Sequence, residues 1–278
     1  MPNPVLNDKT FEKADEAAGW AAPTTSAATA AAPVGPITDG PSTPYVGYRP
    51  DGEVMTRAGA YTATGVLLAL LLIAGAVGWA ITPESPVTGE VQFPGWLLVP
   101  LFISLGLGLF IAFKPPVARF LSPFYALGYG IVLGGISHVY ESQWHGIVLQ
   151  AVGITAAIVI VMYTLYATRI LKVTNRFRKV VIGATIGVVI FYGISLLVSL
   201  FGVDVAYFTS NSGWSILLSL VIAGVAAFNL ALDFDIIDRG SQMGAPKYME
   251  WYAAFGLTVT IVWLYLEVLR LLSKIQSR

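Results

Sequence analysis

The sequence predicts an all-α membrane protein, a bundle of seven transmembrane helices, and three observations carry that prediction. Asp, Glu, Lys and Arg make up 12% of the 278 residues and the hydrophobic set 56%, whereas a soluble chain carries roughly a quarter charged residues. The mean hydropathy is +0.72. After Arg57 the apolar stretches come in runs of about twenty residues, the length that crosses ~30 Å of hydrocarbon. Together these exclude an ordinary soluble enzyme, a nucleic-acid binder and a disordered scaffold. The chain has 0 cysteines, which also excludes disulfides, thiol nucleophiles and cysteine-ligated metal.

Residues 1–54 are rich in Ala, Pro, Thr, Ser and Gly, and the stretch Pro23–Pro44 has no apolar periodicity. Such a composition buries too little apolar surface to offset chain entropy, so a disordered tail is expected. It lacks the basic start and apolar core of a signal peptide. A short amphipathic turn fits Phe11–Trp20.

Residues 55–278 form the membrane domain, with spans expected at 58–81, 95–113, 122–140, 146–167, 180–201, 213–232 and 249–272. Only Glu250, Glu267 and Arg270 place charge inside them. Open sheet edges do not survive in lipid, and these runs do not alternate, so the spans are helices. Arg and Lys gather in the tail and in the segments 114–121, 168–179 and 233–248, while 82–94, 141–145 and 202–212 have none. The positive-inside rule then puts the N-terminus in the cytoplasm. Seven spans send the C-terminus outside despite Arg270, Lys274 and Arg278, so a last helix that stops short or re-enters stays open.

Within the spans, Gly106-x-Gly108, Gly130-xxx-Gly134 and Gly183-xxx-Gly187 read as close helix packing by small residues. Trp79, Trp96, Trp144, Trp214 and Trp251 fall near span ends, where interfacial anchors belong.

Ionisable groups near hydrocarbon are expensive, and each is therefore a candidate for function. The densest group is LDFDIID, with Asp233, Asp235 and Asp238 where the sixth span ends. Asp233 is the deepest; a carboxylate there could bind a cation or report on cytoplasmic pH. Asp235 lies on another helix face, and Asp238 followed by Arg239 reads as a solvated helix end. Glu267 stands three residues before Arg270, the spacing of a same-face ion pair. Glu250 opens the last helix, where a carboxylate suits the helix dipole. His138, Glu141 and His145 gather at the other side, a thin basis for a metal.

No enzyme template fits. Neither histidine stands in HExxH, the GISH at Gly135–His138 does not make a nucleophile site, and no glycine-rich phosphate loop occurs. A retinal lysine is not expected, because Lys247 and Lys274 lie at the ends of the last span. The basic segment 168–179 reads as a topology signal that can also touch anionic lipid. No enzymatic activity, cofactor or nucleic-acid partner is expected.

The segments YALGYGIVLGGIS, LDFDIID and WLYLEVLRLL, in this order, resemble the Bax inhibitor-1 (transmembrane Bax-inhibitor-motif) family over residues 55–278. The opening NPVL, the extended tail and APKYMEWYAAFG resemble its bacterial branch. The resemblance implies outer helices around a central last helix, a pH-sensitive calcium leak and a sensor built from two aspartates on the last two helices. Asp233 matches the first aspartate. For the second, matching LYLE selects Glu267, whereas an ungapped match of the helix end selects Thr260; both stay open. Tyr129 stands where relatives carry Glu. The resemblance thus implies a multi-pass protein of the bacterial cytoplasmic membrane that passes calcium or another cation, with Asp233, Asp235 and Glu267 as sensor or ion-binding candidates and Asp233 as a metal ligand. A non-conducting regulator that binds membrane-protein, protease or stress-response partners is the alternative. A proton-coupled transporter would show internal repeats, and none is evident.

Overall fold

The computed structural model describes residues 54–84, 91, 94–201 and 212–277. The expected tail lies outside them except for Val54, which meets Pro246 in an isolated antiparallel bridge. Among the described residues, seven helices are long and apolar enough to cross a membrane. They are α1 (Arg57–Ile81), α2 (Leu98–Phe113), α3 (Ala118–Gln143), α4 (Ile147–Ala167), α5 (Asn175–Leu200), α6 (Gly213–Gln242) and α7 (Met249–Gln276). Short 3-10 turns at Gly95–Leu97 and Pro115–Val117 lead into α2 and α3. The fold is an all-α membrane bundle.

Helix starts follow local capping chemistry. Thr56, Thr174 and Ser212 each precede a helix, and their hydroxyls accept from the backbone N–H of Gly59, Phe177 and Ser215, satisfying donors that the first turn leaves unpaired. Helix α6 ends in a Schellman turn: Ala245 N–H donates to Gly240 O at 3.0 Å while Gly244 adopts φ 64°. Glycine bears that left-handed backbone without a Cβ clash. Helix α4 ends at the equivalent position on Arg169, with φ 58°, which costs a non-glycine residue about 1–2 kcal/mol.

Helix α6 runs to Gln242, ten residues beyond the end of the apolar span 213–232. Hydropathy tracks the hydrocarbon, whereas the helix continues into the polar boundary, where its charged side chains find partners. Asp233 therefore lies nine residues inside the helix end, ~13 Å along it at about 1.5 Å per residue.

Helix α7 is central. It packs against α1, α3, α4 and α6, and its buried side chains run around the whole circumference, as in Ala253, Ala254, Phe255, Leu257 and Thr258. Helix α5 is peripheral, with only Val181 and Ser195 buried among its described side chains. Polar contacts hold it at successive levels: Arg178 to Asp235, Thr185 to Asn229 at 2.8 Å, and Tyr192 to Glu267.

One of the three glycine pairs packs as expected. A Cβ on Gly130 or Gly134 would strike the α1 backbone at Leu71 and Gly75, and one on Gly78 would strike Ile131. Gly183 and Gly187 face open space, as does Gly106, and Gly108 meets mainly the Tyr125 ring. The contact between α1 and α3 is thus a close backbone approach.

Glu250 joins the two ends of the bundle's chain. It is 4% exposed, and its Oε1 accepts from both the N–H and the hydroxyl of Thr56 at 2.8 Å, with Lys247 Nζ at 3.7 Å. The carboxyl occupies the space a Cβ on Gly59 would need. Besides suiting the α7 dipole, it ties the start of α1 to the start of α7. Glu250→Ala removes a buried, charged acceptor of two hydrogen bonds from Thr56 and is expected to destabilise by about 1–3 kcal/mol; Glu250→Gln, which keeps an oxygen, should lose less. Thermal unfolding in detergent, followed by circular dichroism, separates the two.

Candidate functional site

The three aspartates of LDFDIID point to three different environments. Asp235 is buried and clasped by two guanidiniums: Arg178 Nη2 lies 2.5 Å from Oδ2, and Arg239 Nε lies 2.9 Å from Oδ2 and 3.0 Å from Oδ1. Asp238 takes Arg57 Nε at 2.9 Å and the Tyr166 hydroxyl at 3.0 Å. These pairs staple α1, α4 and α5 to the end of α6. Both carboxylates are satisfied, and Asp238, expected as a solvated helix end, is a cross-helix partner instead.

Asp233 differs. Its Oδ2 is buried with no hydrogen-bond partner, and no cation pairs with it among the described residues. Across from it on α7 lie Gly256, whose Cβ position would be 3.8 Å from Asp233 Oδ1, and the buried Thr260, whose side chain faces the carboxylate. The Thr260 hydroxyl donates its one hydrogen to Gly256 O at 3.2 Å. Even a Cβ on Gly256 would meet the carboxylate only in ordinary van der Waals contact.

Glu267 is nowhere near this place. It is seven residues beyond Thr260, about 10 Å further along the helix. There it is 1% exposed, accepts from Arg270 Nη1 at 2.9 Å and bonds the Tyr192 hydroxyl of α5. Arg270 also donates to Tyr192 at 2.9 Å and lies over its ring. The expected same-face pair forms, with an aromatic partner that no sequence spacing announced. One turn on, Lys274 is buried, its Nζ 2.8 Å from Ser219 Oγ and 3.4 Å from Ser215 O. Its spacing of seven from Glu267 puts both on one helix face, a signal that hydropathy alone overlooks.

At that same side of the bundle, His138 stacks on Trp79 with ring centroids 4.6 Å apart and meets Glu84 at 3.1 Å. Glu141 accepts from the N–H groups of Gly146 at 2.5 Å and Val148 at 3.1 Å, capping the start of α4. His145 is exposed. Among the described residues no three His, Asp or Glu side chains converge as metal ligands would.

Two cavities among the described residues bear on the site. One, about 670 Å³, is apolar and lies among α1, α3, α4 and α7, with Ser137 and Tyr265, bonded at 2.7 Å, on its wall. The other, about 520 Å³, opens at the α6 end near Asp235 and Asp238. Asp233 lines neither.

The family model described as Bax inhibitor 1 like matches residues 3–277. The chain belongs to that family. No curated protein and no solved structure matches the sequence. In this Bax inhibitor 1 like chain, the two alignments of the last helix are now distinguishable by contact. Thr260 stands against Asp233, and Glu267 stands with Arg270 and Tyr192. A threonine therefore faces the first acid where the resemblance implied a second one. Tyr129 stacks on Tyr125 at 5.5 Å, and Tyr125 meets Phe255 of α7 edge-on, so an aromatic cluster fills the position where the resemblance implied a Glu.

Proposed function

We propose that this protein is a passive, pH-modulated cation leak pathway, with calcium as the favoured ion and Asp233 as its ionisable element. The observation that supports it is a carboxylate held between the last two helices with one oxygen buried and without a partner. Such a group attracts a cation when ionised and releases it when protonated. Calcium takes six to eight oxygens in a stable site. Asp233 has Thr260 and little else to add, so binding is weak, which suits passage rather than storage. The protein would act without catalysis or cofactor, in the cytoplasmic membrane of a bacterium, with its N-terminus on the cytoplasmic side. The loop distribution of Arg and Lys supports that orientation.

Liposomes loaded with a calcium dye test the reading. Flux should vary with pH for the native chain and lose that dependence in Asp233→Asn. No flux at any pH, or flux indifferent to the substitution, would overturn it.

A non-conducting regulator is favoured by one observation: Asp233 lines neither cavity. That reading expects protease or stress-response partners to be captured by the full chain and lost with residues 1–54.

A further inference from the structure

We propose that the cavity at the α6 end is a binding site for the phosphate headgroup of an anionic membrane phospholipid, held by Arg169 and Lys172. Its wall is built from α1, the end of α4, the segment joining α4 to α5, and α6. Of the charged groups facing it, Asp235 and Asp238 are already engaged, the first by Arg178 and Arg239 and the second by Arg57 and Tyr166. Arg169 and Lys172 are exposed, and their side chains make no hydrogen bond or ion pair among the described residues. The cavity therefore presents two uncommitted cations over a floor whose acids are neutralised. An anion fits that balance.

The backbone supplies a second, independent observation. Arg169 is the one non-glycine residue with positive φ among the described residues. It occupies the position after α4 that glycine holds after α6. Strain kept at a lined cavity points to a role for the side chain. Glycine there would relieve the strain and remove the cation.

The remaining lining argues for a lipid source over free phosphate. Tyr61, Tyr163, Leu171 and Val173 give the cavity an apolar side. It stands where the apolar runs of α1, α4 and α6 give way to charge, at headgroup depth. Neighbouring Ile170 is 74% exposed, an outward apolar contact for the glycerol and acyl portion. None of this depends on conduction.

The full chain, reconstituted in nanodiscs of phosphatidylcholine with a minor share of phosphatidylglycerol, tests the site by native mass spectrometry of the lipids it retains. The native protein should retain phosphatidylglycerol above its bulk share. Arg169→Gln/Lys172→Gln should reduce that enrichment by roughly five-fold for each charge removed. Arg176→Gln/Lys179→Gln, which removes two exposed cations of the same segment outside the cavity, should leave it unchanged. Arg169→Gly guards against misfolding as the cause, because it should melt no lower than the native chain while still losing retention. Equal loss in both double variants would mean a diffuse basic surface and overturn the proposal, as would full retention in Arg169→Gly. Displacement of the lipid by millimolar inorganic phosphate would overturn the lipid assignment in favour of a soluble phosphate ligand.

Discussion

Gly134→Ala should unfold at a markedly lower temperature than the native chain, although it adds a single methyl group. That methyl would land on the Gly75 backbone of α1. A flexible side chain could swing aside, but a helix backbone cannot, so α1 and α3 must separate along their shared length. Overpacking of this kind costs about 1–3 kcal/mol and occasionally more. The control is Gly187→Ala on α5. Its Cβ enters open space, and replacing a mid-helix glycine there gains roughly 0.5–1 kcal/mol from helix propensity. Thermal melts of the two solubilised variants should therefore move in opposite directions. Matching shifts would mean that α1 and α3 do not approach as closely as Gly130 and Gly134 allow. The two sequence motifs look alike, and their predicted effects differ only because of what each glycine faces.

That contrast marks where reading the sequence stops. Hydropathy exposes the seven helices because expelling charge from hydrocarbon is a property of each segment by itself. It marks the apolar span 213–232 and not the end of α6, because a helix can continue through Asp235 and Arg239 when they pair with each other and with Arg178. Asp233 was visible as a charge at a span boundary. Its neighbour on α7 was not, since the register between two helices depends on how side chains from distant parts of the sequence fit together. Glu250 read as a dipole complement on its own helix; its bond to Thr56 spans 194 residues, a separation over which spacing says nothing. Arg169 gave no signal, because the usual mark of a left-handed helix end is glycine or asparagine.

The charge placement separates two ends of different character. At the α6 end, Arg57, Arg178 and Arg239 cover acids drawn from one helix, leaving Asp233 as the acid beyond their reach. At the other end, Glu267, Arg270 and Lys274 share one face of α7 and are bonded to α5 and α6. A cation moving along α7 would meet an uncommitted carboxylate at one level and two cations against one acid at the other. Under the proposed leak, control by Asp233 alone would belong to the first end, and the question becomes what a second acid beside it would do.

Thr260→Asp should answer it by making the protein pH-sensitive in stability as well as in flux. Thr260 is 8% exposed and faces the Asp233 carboxylate, so the substitution sets two carboxylates against each other across α6 and α7. At acid pH a shared proton joins them by a hydrogen bond. As pH rises both ionise, and two like charges about 4 Å apart repel by roughly 4 kcal/mol at an effective dielectric of 20. The sign follows: the variant is most stable in acid and loses stability as pH rises, whereas Thr260→Asn, of similar size and without charge, should not show this loss. Melts of the two variants at acid and alkaline pH measure the difference directly. If separation of α6 from α7 opens the pathway, calcium flux through Thr260→Asp rises over the same pH interval. Identical pH profiles for the Asp and Asn variants would place Thr260 away from Asp233 and remove the structural basis for a sensor between these helices. Altered stability with unaltered flux would keep the contact and reject the gate. The two measurements thus test separate links, the helix register and the function assigned to it.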